Sequence, residues 1–401
     1  MIRLTAILGL FGISFLGPPG LPAQTTPGNI AVITGTNLLE VSPPGAVSTI
    51  VAMPAGQTAI GICPSIDNLG VAVLTQAIAR NTTTIRVLEV KNGQLTTVAS
   101  TRKTTLGTLF PVIQGGIVPE QRGHYVIASP LGIHRVAGIG SNPSTLSTTS
   151  ATGLCDALST GGWLTFANNA VAILTRTGQR TQVARIGGSI PIGRGSITTD
   201  TTTGNAFVAQ GALHAVNLTR MTITTLSSGG PMGSALAVDI DPRDRSLIVG
   251  SNTGLFRADR QGTVACTLAT GFKAVGVTVI GSNHISGYSL PSLGVNYSVF
   301  VSFPHPGFYY VLGASLAYAP GIPTPYGTIP LGADSLFFLS RTASSVFIRF
   351  SGQLDAAGRA TAAVAVPKAP IRGVRFFLAG LEYDSRGKVL IISEPVGVTV
   401  E

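Results

Sequence analysis

A short apolar core recurs along the first two thirds of the chain, and its period restricts the fold more than any other feature. LLEV at Leu38, VLEV at Val87, IHRV at Ile133, AILT at Ala172, LHAV at Leu213 and LFRA at Leu255 begin 49, 46, 39, 41 and 42 residues apart. That spacing suits a four-stranded propeller blade and not a helical repeat. Each core follows an apolar strand, as in NIAVITG, GVAVLTQ, HYVIASP, WLTFANN, NAFVAQG and SLIVGSN. A Thr/Val-rich strand usually comes next, as in QLTTVAS, QRTQVARI, MTITTLS and TVACTLAT. Alternation and β-branching favour strands here, and Gly, Asn and Pro mark the turns.

A fourth strand opens each later repeat: AIGICPS at Ala59, GGIVPEQ at Gly115, LCDALST at Leu154, RGSITTD at Arg194 and ALAVDID at Ala235. The first repeat, from Gly28, has no such strand, whereas an extra copy, AVGVTVI from Ala274 to Ile280, follows the sixth. A deficit at one end and a surplus at the other predict an all-β, six-bladed β-propeller in which one blade is built from both ends, so that closure removes the open edge. The alternative is a seven-bladed ring with a degenerate blade between Pro64 and Pro119. From Gly28 to Asn283 the pattern resembles NHL-type and related six-bladed bacterial propellers. The resemblance implies a fold and no activity, because propellers carry hydrolases, lyases, lectin-like binders and scaffolds on one frame.

The ends of the chain read differently. Residues 1–23 carry Arg3, an apolar run from Leu4 to Leu16, a Gly/Pro break and a small residue at Ala23, the pattern of a secretory signal peptide. The run is too short to span a bilayer comfortably, so the mature chain is expected to have no transmembrane segment and to be secreted, periplasmic or on the cell surface. Beyond residue 283, aromatics concentrate: 16 of the 24 Phe and Tyr residues lie from Tyr288 onward. That shift places a domain boundary between 24–283 and 284–401. LGVNYSVFVSF, GFYYVLGASLAY, SLFFLS, SVFIRF, GVRFFLAGLEYD and KVLIISEPVGVTVE are strand candidates there, and about seven or eight strands suit a β-sandwich. FSGQLDAAGRATAAVAVP and the terminal PVGVTVE resemble a recurrent C-terminal sandwich module of secreted bacterial proteins, which brings no catalytic residues with it.

Charge argues about partners. The net charge of +10 reflects few acids, 16 against 26 bases, and the bases are scattered with no aromatic interleaving. That excludes a nucleic-acid footprint and leaves a preference for anionic partners. Cys63, Cys155 and Cys266 are odd in number and far apart, and are expected as buried free thiols.

DIDPRD, with Asp239, Asp241 and Asp244, lacks the glycine and distal Glu of a calcium loop and reads as turn punctuation. His134 and His214 occupy a repeat position that elsewhere holds Leu39, Leu88, Ile173 and Phe256, so they are expected to pack. His124, His284 and His305 have no metal-ligand spacing, there is no G-x-S-x-G elbow, and the Gly-rich stretches lack the P-loop lysine. No catalytic residue, metal or cofactor is therefore assigned. In Phe303, Phe308, Tyr309, Tyr310 and Tyr318, core packing is expected over sugar stacking.

By analogy with propellers, the loops entering the innermost strands line the channel mouth. TRKTTLGTLF, GGSIPIGRG, SSGGPMGS and TGFKAV supply Arg102, Lys103, Arg194 and Lys273, with Asp156 almost the only nearby acid. A basic mouth disfavours a carboxylate metal site and suits capture of an anionic or polysaccharide ligand. The expected function is an exported, non-catalytic binding or scaffold protein for a protein or glycan partner. The alternative is a propeller hydrolase or lyase acting on extracellular carbohydrate or a cyclic ester.

Overall fold

The computed structural model describes residues 28–42, 45–66, 70–79, 82–91, 93–104, 114–120, 124–129, 131–137, 143–157, 162–187, 195–200, 203–282, 284–287 and 291–400. The candidate leader lies outside them. The chain is all-β apart from one helix and a 3-10 turn among these residues.

Up to Ile280 the strands form four-stranded antiparallel sheets, six among the described residues. Their innermost strands are Thr58–Pro64, Gly116–Glu120, Gly153–Ala157, Ser196–Asp200, Ala235–Ile240 and Gly276–Val279. Each packs against the next, and Gly276–Val279 returns to Thr58–Pro64, so the strands close a circuit. Gly276–Val279 also completes the first sheet by pairing antiparallel with Ile30–Ile33, Ile30 opposite Val279. The late strand supplies the position that the first repeat lacks. A ring of radial four-stranded sheets is a β-propeller, and the shared first sheet ties the two ends of the ring together.

A small residue followed by a branched apolar one recurs in every innermost strand: Gly61-Ile62, Gly116-Ile117, Gly153-Leu154, Ser196-Ile197, Ala237-Val238 and Gly276-Val277. The reason is steric. A Cβ on Gly116 would sit 2.4 Å from the Cβ of Leu154, one on Gly153 3.0 Å from Ile197 Cγ2, and one on Gly276 3.2 Å from Ile62 Cγ2. At these three steps the small residue of one strand receives the branched residue of the next, and the inner ring interlocks there. Inserting even one methyl group into such a contact forces backbone movement. Gly116→Ala is expected to lower stability by about 2 kcal/mol. Gly187→Ala, where a Cβ meets nothing within 4 Å, should stay within about 0.5 kcal/mol of the parent. Urea unfolding followed by fluorescence of the sole tryptophan, Trp163, which is buried in the ring, measures both; equal midpoints would refute the interlock.

From Ile285 onward two further sheets share one core. One contains Ile285–Gly287, Asn296–Ser302, Arg359–Ala365 and Phe347–Ile348; the other contains Ser351–Gln353, Tyr309–Ser315, Arg375–Tyr383 and Val389–Ile392, with Val396–Thr399 pairing Arg375–Tyr383. Tyr297, Val299 and Val301 from the first and Leu312, Ala314 and Leu378 from the second are buried together.

One strand expectation fails here. SLFFLS lies in an α-helix, Ser335–Thr342, because Asp334 caps it by accepting the Phe337 N–H at 2.9 Å. The same carboxylate accepts the Leu316 N–H at 2.7 Å, which ties the cap to the strand beneath. Among the described residues no helix is long and apolar enough to cross a membrane.

Candidate functional site

All six innermost strands line a narrow central channel of about 160 Å³. Their first ends, where the expected mouth lies, are bridged by Gln114. Its amide nitrogen donates to the Leu236 carbonyl and, at 3.0 Å, to the Val275 carbonyl. Its oxygen accepts the Gly195 N–H. One buried side chain thus joins the starts of three other innermost strands across the axis. Gln114 was not recognised as important from the sequence, where it stands beside the GGIVPEQ strand without a motif.

Deeper in the channel, Thr198, Asp239 and Thr278 come together. Asp239 accepts backbone N–H groups from Ile240 at 2.9 Å and Val279 at 3.2 Å, and Thr198 Oγ1 lies 3.5 Å from it. Val279 belongs to the closing strand, so this carboxylate fastens the two ends of the ring. Burial outweighs these hydrogen bonds and pushes its pKa up to about 6. Cys63 also lines the channel, and burial, with Glu89 and Asp239 nearby, keeps its thiol protonated well above the usual range.

The other acids of DIDPRD shape a turn, as the sequence reading expects. The Asp241 N–H donates to Ser246 O at 2.9 Å, and Arg245 N–H to Asp241 O at 2.8 Å with Arg245 at φ 63°. Asp241 accepts from Arg243 at 2.6 Å and Arg257 at 2.9 Å, and Asp244 from Arg257 at 2.6 Å. The arginine hydrogen bonds hold Asp241 below the usual carboxylate range against the opposing effect of burial. The third sheet repeats the device with Arg135 bidentate on Glu120 at 2.7 and 2.9 Å.

Asp200, at the end of its innermost strand, is buried and accepts from Arg245 at 2.9 Å and Thr203 at 2.9 Å, with Arg260 at 3.1 Å. Arg245 also pairs with Glu394. This network joins the ring to the C-terminal sheets, and beside it opens a cleft of about 460 Å³ lined by Arg243, Arg245, Arg260, Tyr318 and Tyr326. The sequence reading passed over it because its parts lie up to 194 positions apart, Asp200 to Glu394.

The predicted mouth residues fall as follows. Arg102 is exposed in the outermost strand Gln94–Thr104, opposite Thr84, not in a loop. The cause is strand length: the outermost strand of the second sheet runs to Thr104. Lys103 lies in the same strand, but its side chain is outside what is described, as is Arg194 entirely and the side chain of Asp156. Lys273 is exposed in the connection to the closing strand.

His134 and His214 are buried and make the same contact in their sheets, Nδ1 to Thr145 Oγ1 at 3.3 Å and to Thr225 Oγ1 at 3.2 Å. Cys63 and Cys155 are buried free thiols, but Cys266 is exposed, because it sits on the solvent-facing outermost strand Val264–Thr270. Phe303 and Tyr310 enter the core, whereas Phe308, Tyr309 and Tyr318 are half-buried at its margin.

The ring and its channel define a β-propeller protein. Similar solved structures include a gluconolactonase from Xanthomonas campestris, 14% identical over 72% of this chain and 96% of that one, with a TM-score of 0.44. Others are the WD40 β-propeller domain of Doa1, 9% identical over 70% and 91% with a TM-score of 0.40, and an oligogalacturonate lyase in complex with manganese, 10% identical over 57% and 70% with a TM-score of 0.35. No family model and no curated protein matches the chain.

Proposed function

We propose that this is an exported, non-catalytic binding or scaffold protein: an NHL-type, six-bladed propeller over residues 24–283 that serves as an interaction platform, followed by a β-sandwich over 284–401 for attachment or partner contact. The observation that carries the reading is Gln114. A propeller enzyme needs substrate to reach groups inside the channel, and here the entry is bridged by a side chain whose amide is engaged on both sides. Asp239 is committed to the closing strand, so binding falls to the outer surfaces. Arg102, Lys103, Arg194 and Lys273 supply the positive charge that attracts an anionic or polysaccharide ligand.

The test is retention of the full chain on immobilised acidic and neutral polysaccharides at low and high salt. Salt-sensitive retention on the acidic matrix, reduced at least tenfold when all four bases are changed to Ala, is the expected result. Unchanged retention in that variant would remove the entry face from the proposal.

The propeller hydrolase or lyase is favoured by one observation, the Asp239 carboxyl in the channel with its pKa pushed up to about 6, within the range useful to a general base. Turnover of a lactone or a polyuronate by the full chain, abolished by Asp239→Asn under conditions where that variant remains folded, would establish it in place of the binding reading.

A further inference from the structure

The C-terminal sheets carry a larger opening than the propeller does, about 610 Å³, and it lies where the chain passes from one sheet to the other. Pairing along the inner strand Arg359–Ala365 reaches Ile348 opposite Ala363 and goes no further in that direction. The chain then turns through Arg349 and Phe350 and enters the second sheet as Ser351–Gln353, opposite Val311 to Tyr309. Residues 359–361 and 351–353 therefore face each other across a gap between the sheet edges.

The gap is polar in an ordered way. Ser286, Phe300 and Thr361 form one row across three adjacent strands, and Ser302 opposite Arg359 forms the next. All five line the opening, with Gln353, whose amide nitrogen donates to the Gly307 carbonyl at 2.8 Å, on the far wall. Arg349 and Arg359 are exposed at its rim. Arg349 holds a left-handed backbone at φ 54°, and the buried Tyr310 hydroxyl donates to its carbonyl at 2.9 Å. A non-glycine residue in that region is costly and persists where its surroundings impose it; here the imposed turn sets the arginine over the opening. The acid in the wall, Asp355, accepts the Ala357 and Arg359 N–H groups at 2.8 and 2.9 Å, and so shapes the turn that presents Arg359.

We propose that this cleft binds an acidic oligosaccharide, a chain of uronate or sulfate-bearing sugars. The hydroxyls of Ser286, Ser302, Ser351 and Thr361 along the walls suit the hydroxyl groups of a polyol, and the guanidinium groups of Arg349 and Arg359 at the rim suit carboxylate or sulfate, which arginine takes in a planar, bidentate manner. The size suits a short oligomer, since ligand clefts commonly measure about 300–1,000 Å³. The site is separate from the propeller's entry face and stands whether or not that face binds anything.

Titration of the full chain with a defined tetra-uronate, a sulfated tetrasaccharide and a neutral tetrasaccharide of the same length tests it. At least one acidic oligomer should bind at least tenfold more tightly than the neutral one. Arg349→Asn, which tolerates the left-handed backbone, combined with Arg359→Gln should weaken that binding at least tenfold while circular dichroism and the unfolding midpoint remain unchanged. The variant with Arg102, Lys103, Arg194 and Lys273 all changed to Ala should retain it in full. If it is this four-base variant that loses acidic binding while the cleft variant keeps it, the cleft is not the site and the entry face is. Absence of acidic binding to the full chain, or equal binding of the neutral oligomer or of a duplex RNA, would overturn the proposal.

Discussion

Asp200→Ala is expected to destabilise the propeller by about 3–5 kcal/mol, the range for breaking a buried ion pair from one side. The Asp200 side chain is fully buried and faces two guanidinium groups, Arg245 at 2.9 Å and Arg260 at 3.1 Å. Burial lowers the pKa of Arg245, and Asp200 is the neighbour that opposes this most. Without the carboxylate, two mostly buried cations remain side by side. Thr203, which donates to the same carboxylate at 2.9 Å, also loses its acceptor. Asp200→Asn should cost less, because the amide oxygen still accepts from Thr203 or one arginine. Urea unfolding followed by Trp163 fluorescence reads both variants. If Asp200→Ala shifts stability by less than about 1 kcal/mol, the value of an exposed surface pair, the network is not structural.

The second large effect is a pair of opposed pH dependences. Asp239 has its pKa raised from 3.8 to about 6. Its contribution is greatest below 3.8 and is lost as pH rises through about 6, a change of roughly 3 kcal/mol at about 1.4 kcal/mol per unit. His284 behaves in the opposite sense. It is buried, stacks on Phe303 with centroids 4.9 Å apart, and lies 3.0 Å from the Ser302 carbonyl through Nδ1. Burial lowers its pKa from 6.5 to about 4. Its contribution is present above 6.5 and is lost as pH falls toward 4, again by roughly 3 kcal/mol.

Between pH 4 and 6.5 the two slopes oppose each other in the unfolding of the whole chain. Asp239→Asn removes the first, so stability of that variant should climb steeply with pH across this window. His284→Asn should reverse the sign and give a protein that weakens as pH rises from about 4 to about 6. The readout is the slope, since the amide of the D239N variant cannot accept both N–H groups and lowers absolute stability on its own. Parallel pH profiles for the two variants would contradict the assignment.

Much of this architecture was legible before any coordinates. The repeat of LLEV-like cores, the strand missing before Gly28 and the surplus strand after Phe272 together anticipated the sheet in which Gly276–Val279 pairs with Ile30–Ile33. The DIDPRD turn and the packed histidines His134 and His214 were also readable, because a repeated position compares a residue with its own counterparts. What escaped was contact between residues distant in sequence. SLFFLS looked like a strand because a six-residue apolar run has no decisive period; the Asp334 cap and the strand beneath it decide for helix. Cys266 looked buried because its neighbours are small and apolar, although its strand is outermost in its sheet.

The sequence by itself therefore determined the sheets and the closure of the ring, since strand periodicity and turn residues act over a few positions and repeat often enough to be counted. It even carried the small-then-branched pattern of the innermost strands. Only the tertiary structure decided what that pattern is for: Gly116 receives Leu154 from the next sheet. Only it could show Gln114 across the channel mouth and Asp200 between Arg245 and Arg260. Those are side-chain meetings between elements far apart along the chain, and their strength depends on burial and distance, which exist only once the chain has folded.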